Sequence, residues 1–268
     1  MIKKIETYNE ILNVLNYIGD DYKTVPYLYV NLIKYGLGTN NVETWVDYQT
    51  SDIIKAVYLV YYDCIHIFTK ETKSYNISNF INFIREKKHN VIITQEIIGD
   101  RLSPVLQENY WIEKNHVVDM SSVGLIDKKY HGEIAEKKDI VEIADLLIAD
   151  SEFSNVYERQ RLIDQLIERF EDGFSRYFVI KKDNKIIAAY NTSGEVPGFA
   201  IVNGLIVHPQ YRHKGYASEI VNFACNTLEK ENIKSRVSFV NYKNNASLLL
   251  HEKLGAINIS TLSKFVKK

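Results

Sequence analysis

Apolar and polar positions along this chain repeat with two periods, and each change from one to the other marks an element boundary. In the C-terminal half, KKDIVEIADLLIAD (137–150) and VYERQRLIDQLIERFEDG (156–173) read as amphipathic helices. The second sets Leu162, Leu166, Ile167 and Phe170 at helical spacing and stops at Gly173, a plausible C-cap. SRYFVIKKDNKIIAAYNTSG reads as two strands around an Asp-Asn turn, and FAIVNGLIVHP as a buried central strand stopped by Pro209. GYASEIVNFACNTLEKENI places Tyr216, Ile220, Phe223, Ala224 and Leu228 on one side, the pattern of a helix packed on a sheet. A strand (235–241), a short helix (244–255) capped by Asn244 or Asn245 and closed by Gly255, and a final strand INISTLSKFV complete the half.

The N-terminal half repeats much of this order. Residues 42–70 give successive strands, 76–89 a helix, 90–96 a strand, 99–109 a short helix and 110–120 a closing strand. A shift of about 146 residues lays Val91 near Val237 and Tyr110 near Ala256, so the element order coincides although the residues do not. The pattern implies a duplicated α/β (α+β) architecture, with domains at 1–125 and 133–268 and a polar boundary in 121–138. The tyrosine-rich segments TVPYLYVNLIKYG and AVYLVYYDCIHIF read as packing on strands, where aromatic residues are favoured.

Composition narrows the classes. A chain of 268 residues with 46% hydrophobic and 25% charged content is that of an ordinary globular protein. A net charge of −1 argues against nucleic acid held by bulk charge. Cys64 and Cys225, far apart and each in an apolar run, make neither a disulfide framework nor a metal ligand set. No segment reaches the roughly 20 apolar residues of a membrane span, and the first residues lack the apolar core of a signal peptide. The expectation is a cytoplasmic protein with no metal and no membrane or nucleic-acid partner.

One stretch stands apart. HPQYRHKGYAS (208–218) sets Arg212, His213 and Lys214 directly before a glycine at a strand-to-helix junction, where positive charge opposes the helix dipole. The first amides of a helix have no intrahelical acceptor, so such a turn can cradle an anion. Gly215 and Ala217 give the backbone clearance, and Arg212 and Lys214 the counter-charge. A solvated turn is the plainer reading. The spacings of the P-loop and of the dinucleotide fingerprint are both missing.

A second motif about thirty residues on, NNASLLLHEKLGA, decides between these. Together the two resemble the GNAT superfamily of acyl-CoA-dependent N-acyltransferases: Q/R-x-x-G-x-G/A is matched by Arg212, Gly215 and Ala217, and N-x-x-A-x-x-x-Y-x-x-x-G-F by Asn244, Ser247, His251, Gly255 and Ala256. The resemblance covers roughly 133–268. It implies two tandem GNAT-like domains, each a mixed, largely antiparallel sheet flanked by helices, the first degenerate and without a cofactor site. It also implies acetyl-CoA as co-substrate. The main chain at Leu205, Ile206 and Val207 would pair with the pantetheine arm, and the amides of His213, Lys214, Gly215, Tyr216, Ala217 and Ser218 would hold the pyrophosphate. Asn244 would bond the pantetheine, with Ser247 and His251 at the thioester.

Three positions depart from the family pattern. His251 stands where tyrosine is usual, and is either the acid that protonates the leaving thiolate or an idle, partly exposed helix residue. Ile201 stands where some members carry a glutamate base; Asn203 on the same face, or Glu195 near the expected acceptor mouth, could order a water in its place. Ala256 replaces a phenylalanine, a matter of packing. The functional expectation is direct acetyl transfer to an amine, a small molecule, by a monomer or homodimer. A non-catalytic acyl-CoA sensor or scaffold is the alternative. The acceptor residues are expected in loops 151–160 and 191–198.

Overall fold

The computed structural model describes residues 1–39, 41–50, 53–125, 130–150, 154 and 157–268. In chain order it has strand β1 (Ile2–Lys4), helices α1 (Tyr8–Ile18) and α2 (Pro26–Tyr35), strands β2 (Val42–Thr50), β3 (Ile53–Tyr61) and β4 (Cys64–Phe68), helix α3 (Ile77–Glu86), strand β5 (Val91–Gln95), helix α4 (Glu96–Leu106) and strand β6 (Tyr110–Asp119). There follow β7 (Glu133–Ile134), α5 (Ile140–Ile148), α6 (Arg159–Glu171), β8 (Tyr177–Lys182), β9 (Lys185–Val196), β10 (Phe199–Val207), α7 (Tyr216–Lys230), β11 (Ser235–Asn241), α8 (Asn245–Lys253) and β12 (Ile257–Lys267). The expected start of the 156–173 helix and part of the 151–160 loop lie outside the described residues, as does 126–129 in the expected boundary segment.

Local chemistry accounts for these elements. Asp183 and Asn184 both take positive φ (51° and 60°), the conformation a two-residue hairpin turn requires, and so join β8 to β9. Helix α6 buries Leu162 and Leu166, with Ile167 and Phe170 partly buried on the same core. The tyrosines of 24–36 do not lie on a strand. Pro26 fills the first position of α2, where its missing N–H costs nothing, and Leu28 and Leu32 are buried at helical spacing. Aromatic content pointed to a strand there, but the proline and the four-residue spacing outweigh it.

The chain forms two compact units that do not follow its halves. The first comprises Met1–Val118, Phe239–Leu248 and Asn258–Lys268; the second comprises Asp119–Ser238 and Leu249–Ile257. In the first, strand order is β1-β2-β3-β4-β5-β12-β6, so the last strand of the chain closes this sheet. Leu262–Val266 of β12 pair antiparallel with Gln95–Val91 of β5. Strand β4 runs parallel to β5, a pairing that needs a crossover, supplied by α3. Tyr58, Phe80, Phe83 and Phe265 lie in its core.

In the second unit the order is β11-β10-β9-β8-β7. Only β10 and β11 are parallel, and α7 is their crossover. Each unit is thus a mixed, mostly antiparallel sheet with flanking helices, and each contains the same strand-strand-strand-helix-strand sequence. Arg236, completely buried, ties Asp119–Gly124 into the second unit. It donates to the carbonyls of Ser121 (2.8 Å), Val123 (3.3 Å) and Ile233 (2.6 Å) and pairs with Glu229 at 2.8 Å.

Candidate active site

Strand β10 carries the first feature of the site. Its parallel pairing with β11 joins Phe199, Ala200 and Ile201 to Ser235, Arg236 and Val237, and its register goes no further, so β10 runs on through Val207 paired with β9. On that side the register slips between Asn203 and Ile206: Gly204 and Leu205 of β10 face the single residue Tyr190 of β9. This is a β-bulge, and Gly204 makes it. Its φ of +64° and the position a Cβ would take, 1.9 Å from Asn191 Oδ1, both exclude larger residues. A carboxamide ladder braces the bulge: Asn191 Nδ2 donates to Asn203 Oδ1 (3.1 Å), and Asn203 Nδ2 donates to Ser193 Oγ (2.9 Å). Asn203, Gly204 and Leu205 are half-exposed, whereas Ile206 and Val207 are buried.

The turn after β10 carries the second feature. Pro209–Tyr211 form a single 3-10 turn, Arg212 is extended, and His213 (φ 61°) and Gly215 (φ +88°) are left-handed. Gly215 is the N-cap of α7 and offers no side-chain acceptor to the first-turn amides. A Cβ there would meet no heavy atom within 4 Å, so the space beside Gly215 is open. Arg212 Nε donates to the Val207 carbonyl at 3.0 Å while its Nη2 reaches Asp150 Oδ2 at 3.3 Å, so this side chain also fastens the turn to the end of β10. Lys214 Nζ donates to the Gln210 carbonyl at 3.0 Å. Arg212, His213, Lys214 and Gly215 are exposed, and Tyr216, Ala217 and Ser218 half-exposed.

The second motif is divided between the units: Asn244 and Ser247 belong to the first and His251 to the second. Asn244 Oδ1 accepts the Ser247 amide at 3.0 Å, an N-terminal cap of that helix. His251 is buried, not partly exposed, and its carbonyl accepts the Ala256 amide at 2.9 Å, which ends the helix at Gly255.

The two candidates for the base are placed differently from expectation. Glu195 is not on a loop. It lies within β9 opposite Ala200, and both its oxygens meet Arg176: Nε donates to Oε1 at 3.0 Å, and Nη2 lies 2.9 Å from Oε2. Arg176 also reaches Glu231, just past the C-terminus of α7, at 2.6 Å. This cluster marks the end of the unit where β10 begins; Ala200, opposite Glu195, is eight residues and on the order of 25 Å before the turn at His208. Asn203 does share the β10 segment with Leu205, Ile206 and Val207, but its carboxamide is part of the ladder, and an amide oxygen is a poor proton acceptor. Ile201 is fully buried.

Sequence reasoning missed the bulge and its ladder, although an isolated glycine inside the strand pattern of FAIVNGLIV is a bulge signal. Asp150 as the partner of Arg212 had no such signal, because 62 residues separate them. Among the described residues no group of three or more His, Cys, Asp or Glu could hold a metal ion, and no helix is long and apolar enough to cross a membrane.

Comparison with known proteins accords with this geometry. A family model described as the acetyltransferase (GNAT) family matches residues 140–256. No curated protein matches the sequence significantly. Solved structures similar to this fold include a Drosophila protein (9% identity, TM-score 0.71, covering 100% of this chain and 98% of that one). A GCN5-related N-acetyltransferase from Sphaerobacter thermophilus is also similar (10% identity, TM-score 0.65, 100% and 95% covered). So is a tandem GNAT protein from the clavulanic acid biosynthesis pathway (9% identity, TM-score 0.62, 99% and 97% covered). Residues 140–256 thus match the GNAT acetyltransferase family model, and the whole length shares the fold of the tandem GNAT structure.

Proposed function

We propose that the second unit is an acetyl-CoA-dependent N-acetyltransferase that passes the acetyl group directly to a small amine. The observation that carries this reading is the uncapped, unobstructed start of α7 at Gly215, directly after a strand whose parallel pairing has stopped. The first-turn amides and the helix dipole favour a pyrophosphate there, and Lys214 and His213 border it. Arg212 contributes positive charge but chiefly fixes the turn to Val207. The main chain of Leu205, Ile206 and Val207 is read as the edge on which the pantetheine adds as a strand, with the bulge at Gly204 setting the direction of the Leu205 amide toward the thioester carbonyl. Asn244 and Ser247 belong to the first unit and are assigned no part in this site.

In the chemical step the neutral amine attacks the thioester carbonyl, the C–N bond forms, the nitrogen sheds one proton to solvent, and the C–S bond breaks to release the CoA thiolate. His251 is read as the group that returns a proton to that sulfur. Neither Glu195, held by Arg176, nor Asn203, held in its ladder, is assigned the role of base. The acceptor is therefore read as arriving neutral or losing its proton to solvent, and rate should rise with pH through the acceptor amine's own pKa. Incubation with acetyl-CoA and a panel of small amines, following free thiol, tests the reading. Amine-dependent thiol release supports it; CoA binding without release for every amine contradicts it.

A further inference from the structure

The first unit contains a cavity of about 20 Å³, somewhat more than the roughly 10–15 Å³ that one water needs. It lies among the start of α2, β4, β5 and β12, and its lining includes Val25, Leu28, His66, Thr94 and Phe239. Its polar groups are few. His66, on β4, is only 9% exposed, and its imidazole makes no hydrogen bond within the described residues. The aromatic ring of Tyr27 lies 5.1 Å from it, and that ring stacks on Phe239 at 5.4 Å. A buried imidazole carries both a donor and an acceptor, and protein interiors seldom leave these unmet. Burial also pushes its pKa down to about 3, so the ring is neutral near pH 7.

A second feature is the N-terminus of α2. Val25 precedes it with no side-chain cap, Pro26 has no N–H, and the Leu28 amide falls in the first turn, where a helix supplies no acceptor. The Thr94 hydroxyl is already turned to the Ile67 carbonyl at 3.2 Å. The lining holds no Asp, Glu, Lys or Arg. A cation would therefore face a positive helix end with no carboxylate to balance it, while an oxygen anion would meet donors. The remaining walls are apolar, from Val25, Phe68, Ile93 and Leu262 among others.

We propose that this cavity is a second ligand site, independent of the transferase reading, that takes the carboxylate group of a small apolar acid between the imidazole N–H of His66 and the first turn of α2. The size limits what enters to the head group, with the apolar remainder against Phe239 and Leu262.

The test is an NMR titration of the full chain with labelled histidine, following the His66 ring, with benzoate and propionate as probes and benzylamine as the control of opposite charge. The proposal predicts a saturable shift of the His66 signals with the two acids and none with benzylamine. His66→Gln, which keeps a donor, retains benzoate binding, whereas His66→Leu weakens it about tenfold or more, the loss of one hydrogen bond to a charged group. Thermal melts establish that both variants are folded. Unmoved His66 signals in the wild-type protein would overturn the proposal, as they would mean a site for water alone. So would equal binding of benzylamine, or undiminished binding by a folded His66→Leu variant.

Discussion

Each unit has a turn that leaves a parallel strand and enters a crossover helix, and the two turns are finished in opposite ways. After β4, the first unit caps its helix with its own side chain: Asn76 Oδ1 accepts the Ser78 amide at 3.1 Å. Arg101 closes the same turn, donating to the carbonyls of Thr72 (2.7 Å) and Tyr75 (2.6 Å). After β10, the second unit ends its turn on Gly215, which offers no cap, and turns its arginine back to the strand. The lesson is that the same fold can leave the first amides of a crossover helix unmet or satisfy them by what stands at the N-cap. A cap satisfies the first amides from within; a glycine leaves them for a ligand.

The largest effect that should separate the units is acid sensitivity in the first. His66 is held neutral by burial, its pKa pushed down to about 3 from the ordinary 6.5. The unfolded chain takes up that proton near the ordinary value, so between these limits it binds more protons than the folded one. The stability is complete above about 6.5 and is lost as pH falls toward 3, by an amount on the order of a few kcal/mol. Denaturant unfolding at about pH 7 and about pH 4 should show this loss, and His66→Phe should reduce it. A pH response unchanged in that variant would assign the acid sensitivity elsewhere.

Next in size is Gly215→Glu. A carboxylate at that open position would face the pyrophosphate, and affinity for CoA should fall about a hundredfold, close to 3 kcal/mol, with only a small fall in Tm from the left-handed backbone. Arg101→Ala should act the other way. It uncovers two carbonyls in the first unit and should cost about 2 kcal/mol of stability, measured by urea unfolding, with CoA affinity unchanged. The smallest change is Asn76→Ala, about 1 kcal/mol of stability and again no change in CoA affinity.

How far the sequence disclosed this structure depended on whether the signal was local. The Asp183–Asn184 hairpin, the central strand ended by Pro209 and the helix after Gly215 follow from neighbouring residues and lie where the pattern set them. The tyrosines of α2 were misread because residue preference was weighed above spacing and the N-terminal proline. The strand at 257–267 was legible as a strand, but nothing in its alternation said that its partner is β5, more than 160 residues earlier. The same limit applies at the site. The glycine turn after β10 is a contiguous motif and was readable as the start of a helix. The ion pair that engages Glu195 and the ladder that engages Asn203 arise only from strand register, which fixes neighbours that composition cannot name.

The central claim, an acyl-CoA site in the second unit made by an uncapped helix and none of that kind in the first, is tested most directly by calorimetric titration of the full chain with coenzyme A. The account predicts one site per chain, abolished or weakened about a hundredfold in Gly215→Glu and unaltered in Asn76→Gly, whose helix start loses its cap. Two sites in the wild-type chain, or a single site indifferent to Gly215→Glu, would contradict it.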